Sequence, residues 1–256
     1  MENQKKKFKA IIIILAAVLG LLLVVIFLRV FTYYQAEKEY EEISKISEEV
    51  PVVQGVVEET KPEIAKLNQK LEGQKEVNED IIGWITLEDS KIDYPIVKGE
   101  NNEYYMNHTV LGTENPAGAI FMETLNKDDF SDIVTFVYGH RMKDGSMFGN
   151  LKHYTDKEYW EVHREFQIST YQDNRIYEIF SVHRADVTDS TFQIFFEAGE
   201  EYERYLQEQK NVSFYETGVN VSKEDQIVIL VTCAYDVQTE RIVVLGKLKE
   251  CESVFN

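Results

Sequence analysis

Near its C-terminal end the chain reads Ile227-Val-Ile-Leu-Val-Thr-Cys233, then Ala234-Tyr-Asp-Val-Gln-Thr-Glu240, then Arg241-Ile-Val-Val-Leu-Gly-Lys-Leu248. The two apolar runs predict buried strands, and the connection between them is compatible with a hairpin loop. In such a hairpin Cys233 and Arg241 face each other across the mouth of the loop. A cysteine at a strand end beside a guanidinium is a candidate nucleophile. The alternative is a structural thiol, because free cysteine is among the most buried residue types.

The other cysteine, Cys251, lies further along the return strand of the same hairpin. The distance from Arg241 to Cys251 is roughly 33 Å at ~3.3 Å per residue, whereas a disulfide requires Cα atoms within about 7 Å. We therefore expect Cys233 to be a free thiol. Two cysteines are also too few for a four-thiolate zinc site, and we expect no metal.

From Asn78 onward, short apolar runs alternate with polar turns, which predicts a domain that is mainly β. The candidate strands are Gly83–Leu87, Tyr94–Val97, Ala119–Met122, Ile133–Tyr138, Phe166–Thr170, Ile176–Ala185, Gln226–Thr232 and Arg241–Leu248. Two segments break this pattern and predict helices, Asp156–His163 and Phe196–Lys210. The second helix precedes the cysteine strand. Its apolar side carries Phe196, Tyr202, Tyr205 and Leu206.

The N-terminal end has a different composition. Residues 10–28 are an unbroken apolar run that follows Lys5, Lys6, Lys7 and Lys9. As a helix this run spans roughly 28 Å, close to the ~30 Å hydrocarbon core of a bilayer. A cleaved secretory signal is the alternative, but its apolar stretch is shorter and ends in a small-residue cleavage site, which residues 24–34 lack. The lysines predict a cytoplasmic N-terminus and an extracellular domain.

These features predict four segments: a cytoplasmic basic tail at 1–9, a transmembrane anchor at 10–34, a charged helical spacer at 35–77 and a catalytic domain at 78–256. In the spacer, Thr60 and Glu63 form a capping-box pattern, and Leu71 belongs to an apolar stripe at helical spacing. Gly73 is predicted to end that helix. We expect the helix to pack on the domain that follows it; a coiled-coil partner is the alternative, with few heptads to support it.

The charge of the chain excludes one class of partner. The formal net charge is −18, with 45 acidic and 27 basic residues. A surface that follows nucleic-acid phosphates needs clustered Lys and Arg. We therefore expect no nucleic-acid partner.

A nucleophilic thiol needs a base, and the chain offers five histidines. These are His108, His140, His153, His163 and His183. None belongs to a dense metal-ligand pattern. His140 differs because it follows a predicted strand at a Tyr138-Gly-His140 turn and precedes a polar loop, Arg141–Gly149. Residues where a rigid strand gives way to a loop are often functional, although a structural role is the alternative for any single histidine.

Cysteine, histidine and arginine divide the work of acyl transfer between them. The thiolate attacks a carbonyl and the imidazole exchanges protons, whereas Arg241 stays charged and cannot be the base. A fixed guanidinium suits a developing oxyanion, and so does a backbone N–H beside the nucleophile, which is that of Ala234.

In the order and spacing of its motifs, the chain resembles the sortases, and within them class B. The motifs are Asn78-Glu-Asp-Ile-Ile-Gly-Trp-Ile85, Asp93-Tyr-Pro-Ile-Val97, Asn102 with Tyr105-Met106, Gly118-Ala-Ile-Phe-Met122, Tyr138-Gly-His140, Leu230-Val-Thr-Cys233 and Arg241-Ile-Val-Val-Leu-Gly-Lys-Leu248. Each motif alone is weak, but together they are specific. The lysine-flanked anchor and the helix before the cysteine strand also resemble class B architecture.

The resemblance implies a closed eight-stranded β-barrel with N-terminal helices, on the outer face of a Gram-positive cell membrane. It implies His140, Cys233 and Arg241 as catalytic residues of a transpeptidase that needs no cofactor. Such an enzyme cleaves a C-terminal sorting signal on surface proteins, of the Asn-Pro-x-Thr-x type, through a thioacyl intermediate. It then transfers the protein to an amine of the peptidoglycan precursor.

The resemblance also implies that Asn102, Met106, Tyr138 and Thr232 contact the signal peptide. This chain departs from the class B pattern at Val231, where a serine is usual, so that a hydroxyl partner is missing and the preferred signal could differ. It also has Gly246 where alanine is more usual. A pilin-polymerising or hydrolytic relative, and a non-catalytic surface binding barrel, remain alternative functions.

Overall fold

The computed structural model describes residues 2–46, 71–194, 197–233 and 240–253. Within these ranges eight strands close into a barrel. They are β1 (Ile81–Thr86), β2 (Asp93–Val97), β3 (Ile120–Met122), β4 (Val134–Gly139), β5 (Glu165–Ser169), β6 (Asp173–Asp186), β7 (Ile227–Cys233) and β8 (Glu240–Ser253). Each predicted strand overlaps one of these, so the prediction of a closed eight-stranded barrel is confirmed.

The strands follow each other round the barrel in the order β1, β2, β3, β4, β7, β8, β6, β5. Most neighbours are antiparallel, but β2 is parallel to β3 and β4 is parallel to β7. Parallel neighbours end at the same edge of a sheet. The residues that follow β4 and β7 therefore lie close together, although they are far apart in the sequence.

The helices flank the barrel. They are α1 (Glu2–Ile46), α2 (residues 71–75), α3 (Lys157–Val162) and α4 (Glu200–Asn211). Helix α4 comes before the cysteine strand, as predicted, and buries Tyr202, Tyr205 and Leu206. It begins at Glu200 after Gly199 at the N-cap, later than predicted, and Phe196 lies outside the described residues.

Two apolar clusters stabilise the barrel. One includes the barrel interior, with Leu230 and Val244 among its members. The other lies on the opposite face of β4, β7, β8 and β6, where Ile229 and Leu245 pack with the buried residues of α4. Strand alternation, which sends successive side chains to opposite faces, accounts for this division.

The structure explains why residue 246 is glycine, although the resemblance to class B sortases predicts alanine there. The rings of Phe166 and Tyr177 stack with centroids 5.2 Å apart. A Cβ at Gly246 would lie 2.6 Å from the Phe166 Cζ atom and 2.9 Å from the Tyr177 Cβ atom. Glycine is therefore required by the aromatic pair that this chain places against β8.

Helix α1 continues without a break from the apolar run into the first part of the spacer. Its segment Lys7–Lys45 is long and apolar enough to cross a membrane, and the mean hydropathy of its apolar 18-residue window is 3.5. This is compatible with a membrane anchor, and a signal sequence has the same properties. Beyond the apolar run, α1 packs on the barrel: the Tyr40 hydroxyl donates to the Gly118 carbonyl at 2.7 Å, and Ala36 and Ile43 are buried.

The second part of the spacer is described only from residue 71, so the predicted helix start at Thr60 and Glu63 lies outside the described residues. The prediction that Gly73 ends this helix is wrong, because the helix runs to residue 75. Leu71 and Gln74 are fully buried, and the Gln74 amide donates to the Ile43 carbonyl of α1 at 3.0 Å. These tertiary contacts hold the last turn in place despite the glycine.

Candidate active site

The three predicted catalytic residues lie in one row across three neighbouring strands. Gly139 at the end of β4 pairs with Thr232 of β7, so that the next residue, His140, comes beside position 233. On the other side of β7, Cys233 pairs with Arg241 of β8. Directly opposite residues have Cβ atoms about 5 Å apart. The prediction that Cys233 lies opposite Arg241 is confirmed. The pairing of β4 with β7 also places His140 next to Cys233.

A second row lies directly below the first on the same face. It contains Tyr138, Val231 and Val243, which are neighbours in the same strand register. Val231 is 2% exposed and packs in the cluster under α4, whereas Tyr138 is half-buried. The row of predicted catalytic residues is therefore followed, two residues further into each strand, by a row that includes two buried valines.

The position of the His140 imidazole is fixed by main-chain groups. Its Nε2 atom lies 2.7 Å from the Met106 carbonyl oxygen. A carbonyl oxygen can only accept, so Nε2 is the donor in this hydrogen bond. The ring also lies against Gly118, where a Cβ would come 3.1 Å from the His140 Cδ2 atom. Gly118 has φ +58°, and its carbonyl accepts the Tyr40 hydrogen bond. Helix α1 thus contacts the segment that supports the histidine.

The glycine of the Tyr138-Gly-His140 turn is required by packing. A Cβ at Gly139 would lie 2.8 Å from the Phe148 ring and would collide with Ile120. Phe148 is fully buried and belongs to the 3₁₀ helix Phe148–Thr155. The loop Arg141–Gly149, predicted to be polar, is only partly polar. Like Phe148, its residues Met142 and Met147 are buried.

We expect Gly139→Ala to destabilise the fold and to displace His140. Overpacking of this kind costs about 1–3 kcal/mol in the free energy of unfolding. The change is checked by chemical denaturation and by the rate of peptide cleavage. Gly199→Ala is the matched control, because nothing lies within 4 Å of a Cβ there. Equal stability and activity of the two variants would contradict this account.

Arg241 is half-buried at the start of β8 and pairs with Ala185 of β6 on the side away from Cys233. Its Nη1 atom donates to the Glu240 carbonyl at 3.2 Å. The Glu240 carboxylate itself lies 3.8 Å from the guanidinium of Arg184.

The Cys233 side chain and the whole of Ala234 lie outside the described residues. Their roles as nucleophile and oxyanion donor stay predictions.

Cys251 is a free, exposed thiol on β8, so it forms no disulfide with Cys233. Its Sγ atom donates to the Asp173 carboxylate at 3.6 Å. Desolvation of the sulfur and the negative charge of Asp173 raise the pKa of this thiol. A raised pKa lowers the thiolate fraction, which makes Cys251 a poor nucleophile.

The predicted substrate residues fall into two groups. Asn102 and Tyr138 are half-buried and are joined through the carboxylate of Glu123. Met106 is 37% exposed, and its carbonyl holds His140. The Thr232 side chain, by contrast, is fully buried on the interior face of β7. Glu123 was not found from the sequence; its only signal was an acidic residue directly after a buried strand.

The remaining histidines lie elsewhere. His108 and His163 each hydrogen-bond through Nδ1 to a carbonyl one helical turn earlier, and His153 packs near Tyr159. His183 is 2% exposed beneath the β6–β7 connection. Its ring nitrogens each lie 3.2 Å from a hydroxyl, those of Ser181 and Thr191. These contacts identify His183 as a buried structural histidine.

Burial lowers the pKa of His183 from 6.5 to about 4, although Asp189 opposes the shift. The unfolded chain therefore binds a proton between pH 6.5 and 4 that the folded chain does not. We expect the stability contributed by neutral His183 to be present above pH 6.5 and to fall by about 3 kcal/mol as the pH drops to 4. Denaturation of the native chain and of His183→Gln across this range measures the difference. Parallel pH profiles would contradict the prediction.

Comparisons with known proteins agree with this geometry. The family model described as Sortase domain matches residues 85–249. Sortase B of Listeria monocytogenes is 36% identical over 185 residues, which are 72% of this chain and 75% of the relative. Sortase B of Staphylococcus aureus is 28% identical over 245 residues, which are 95% and 97% of the two chains.

Solved structures are similar in the same way. The crystal structure of sortase B from B. anthracis in complex with AAEK1 has a TM-score of 0.74 and 34% identity, and the match covers 86% of this chain and 99% of the other. The Staphylococcus aureus sortase B–substrate complex has a TM-score of 0.75 and 26% identity, with coverage of 86% and 99%.

The family model matches more than half of the chain, and the closed eight-stranded barrel agrees with it. At one end of the barrel strands, His140, Cys233 and Arg241 occupy neighbouring positions. The chain therefore belongs to the sortase family and is a cysteine transpeptidase. Within the family it is a class B sortase. The N-terminal helices, the helix before the cysteine strand and the named relatives all agree on this subdivision.

Proposed function

We propose that this sortase cleaves a C-terminal sorting signal of the Asn-Pro-x-Thr-x type and transfers the surface protein to an amine of the peptidoglycan precursor. The row of His140, Cys233 and Arg241 carries the proposal, because it combines a thiol, an imidazole and a fixed cation at one sheet edge. Each group matches one requirement of acyl transfer: nucleophile, proton carrier and oxyanion stabiliser.

In the first half-reaction the Cys233 thiolate attacks the carbonyl carbon of the threonine in the signal. A C–S bond forms, and the charge moves to the carbonyl oxygen, where Arg241 and the Ala234 N–H stabilise it. The C–N bond then breaks, and His140 gives its proton to the leaving amine. The products are a thioacyl enzyme and the released C-terminal segment.

In the second half-reaction the acceptor amine attacks the thioester carbonyl. Its proton passes to His140, the C–S bond breaks and the Cys233 thiolate is regenerated. Because Nε2 of His140 donates to the Met106 carbonyl, the exchanged proton is carried on Nδ1. The reaction exchanges one amide for another without any net oxidation.

The proposal includes a location. The lysines before the apolar run would stay in the cytoplasm, residues 10–34 would cross the membrane, and the catalytic domain would face the cell wall. The contacts between α1 and the Gly118 segment support a short distance between the membrane and the active site. This arrangement suits an enzyme whose second substrate is a membrane-attached precursor.

The test is incubation of the full chain, in detergent, with peptides that carry Asn-Pro-x-Thr-x signals, with and without an amine acceptor. We expect an intact-mass increase by the acyl fragment at Cys233, which the amine removes as it forms a new amide product. The Cys251→Ser variant serves as the background, so that the adduct is assigned to one thiol. Absence of an adduct across a varied peptide set, with Cys233 reduced and alkylatable, would contradict the proposal.

Hydrolysis is the alternative fate of the same intermediate. If water resolves the adduct as fast as any amine, the enzyme is a hydrolytic relative. If only a pilin lysine resolves it, the enzyme polymerises pilins. The same assay separates these outcomes, because the product is a free acid in the first case and a pilin conjugate in the second.

A further inference from the structure

Tyr40 of α1 is buried between two segments that both contact His140. The side chains of Tyr40, Ala36 and Ile43 lie on one face of the helix at helical spacing, and all three are buried. They come after the apolar run of the same continuous helix. The helix that is predicted to cross the membrane therefore also packs on the barrel, at the end where His140 lies.

The first of these segments is the turn at residues 115–118, which is held to α1 by two hydrogen bonds. The Tyr40 hydroxyl donates to the Gly118 carbonyl at 2.7 Å. The side-chain amide of Asn115, a buried residue, donates to the Thr32 carbonyl at 2.8 Å. Within the turn the Gly118 N–H donates to the Asn115 carbonyl at 3.0 Å. Both ends of the turn are therefore fixed relative to the helix.

This turn lies against the groups that contact the imidazole. A Cβ at Gly118 would come 2.6 and 2.8 Å from the carbonyl oxygens of Tyr105 and Met106. It would also come 3.1 Å from the His140 Cδ2 atom. The Met106 carbonyl is the group that accepts from His140 Nε2 at 2.7 Å. Because packing this close transmits displacements, a shift of Gly118 moves both the hydrogen-bond acceptor and the packing surface of the ring.

The second segment follows His140 in the chain, and the ring of Tyr40 reaches it through Tyr94 of β2. The two tyrosine rings pack edge to face, with centroids 5.2 Å apart. The Tyr94 hydroxyl accepts from the Met147 N–H at 3.1 Å. The next N–H, that of Phe148, donates to the His140 carbonyl at 2.9 Å. One side chain of α1 thus packs on both segments that fix the histidine.

We propose that Tyr40 is a positioning residue for the proton transfers of His140, so that residues 32–46 of α1 determine the reactive position of the imidazole. The inference rests on the proposed function, because it concerns the histidine that exchanges protons there. An imidazole in this role must lie within hydrogen-bond reach of the group it protonates, and a misplacement of about 1 Å can cost about 10²-fold in rate. Tyr40 acts through Gly118 and Tyr94 and does not touch the reacting atoms.

The test compares Tyr40→Phe with the native full chain, in detergent, with signal peptide and an amine acceptor. Phenylalanine keeps the ring and its contact with Tyr94, and it removes the hydrogen bond to Gly118. We expect kcat to fall about fivefold, because the net strength of one such hydrogen bond corresponds to a factor of this order. Adduct formation and adduct decay should slow together, since His140 moves a proton in both. KM for the peptide should change little, because no side chain assigned to the peptide is removed.

Tyr205→Phe is the matched control. Tyr205 of α4 is also buried, and its hydroxyl donates to a main-chain carbonyl at 2.8 Å, that of Thr191 in the connection between β6 and β7. The two variants therefore lose the same kind of hydrogen bond. Thermal unfolding shows that each is folded, and rates are normalised to the amount of Cys233 that can be alkylated. We expect Tyr205→Phe to keep the native kcat. A similar fall in kcat in both variants would refute the inference, because Tyr40 would then act only on stability.

The remaining outcomes separate this inference from the proposed function. If the native chain forms no adduct with any signal peptide, the proposed function fails. If the native chain turns over and Tyr40→Phe keeps the native kcat, the proposed function stands and the role of Tyr40 is refuted. A rise in KM with an unchanged kcat would also refute it. If Tyr40→Phe does not fold, Tyr94→Phe replaces it, because it removes the acceptor of the Met147 N–H and leaves α1 unaltered. A native kcat in that variant would then count against the inference.

Discussion

Cys233→Ala is expected to lower transpeptidation by at least about 10⁴-fold, to the level of the uncatalysed reaction in the assay. The nucleophile forms the only covalent bond to the substrate in the proposed mechanism, and no other residue in the row can replace it. The peptide should still bind, because the residues that contact it are unchanged. The fold should survive as well, since the backbone pairing of β7 with β4 and β8 does not involve the thiol.

Three measurements check this expectation on the full chain: the rate of amide product formation, the intact mass after incubation with peptide, and the midpoint of thermal unfolding. Cys251→Ser is the control, because it removes the other thiol from the far part of β8. We expect it to keep native turnover. Substantial residual activity in Cys233→Ala, or loss of activity in Cys251→Ser, would refute the nucleophile assignment.

The sequence was informative where the determining contacts are local. Alternation and turn residues located all eight strands, and the short β7–β8 connection placed Cys233 opposite Arg241. The contact of His140 with this pair depends on the parallel register of β4 and β7, which are far apart in the chain. No periodicity within either strand specifies that register. The position of His140 at the end of a predicted strand made it a candidate base, but only the resemblance to the sortases implied that it lies beside Cys233 and Arg241.

Two other features could not be predicted from the sequence, because they also depend on contacts between distant segments. Gly73 was predicted to end a helix, but the hydrogen bond from the Gln74 side chain to α1 stabilises the helical turn beyond it. Glu123 was not identified from the sequence, because Asn102 and Tyr138, which donate to its carboxylate, are distant from it in the chain. In both cases a tertiary hydrogen bond to a distant segment overrides local propensity, and such bonds cannot be inferred from spacing along the chain.

Arg241→Lys is expected to lower kcat by about 10²–10³-fold, the effect of removing one oxyanion-stabilising group. Both side chains carry a positive charge, so a role as a general cation would be preserved. The guanidinium is planar and presents several N–H groups in a fixed geometry, whereas an ammonium is a point charge on a flexible stem. Lysine in this position would attract the oxyanion without holding hydrogen bonds in the required directions.

The assay for this variant should follow the two half-reactions separately. The oxyanion forms both when the thioester is made and when the amine resolves it, so adduct formation and adduct decay should slow together while KM changes less. Arg184→Lys is the matched control: Arg184 lies on the neighbouring strand β6, and its side chain is 60% exposed beside Glu240. It should leave both steps unchanged. Near-native kinetics for Arg241→Lys would mean that Arg241 contributes only its charge, and the oxyanion would then depend on the backbone N–H of Ala234.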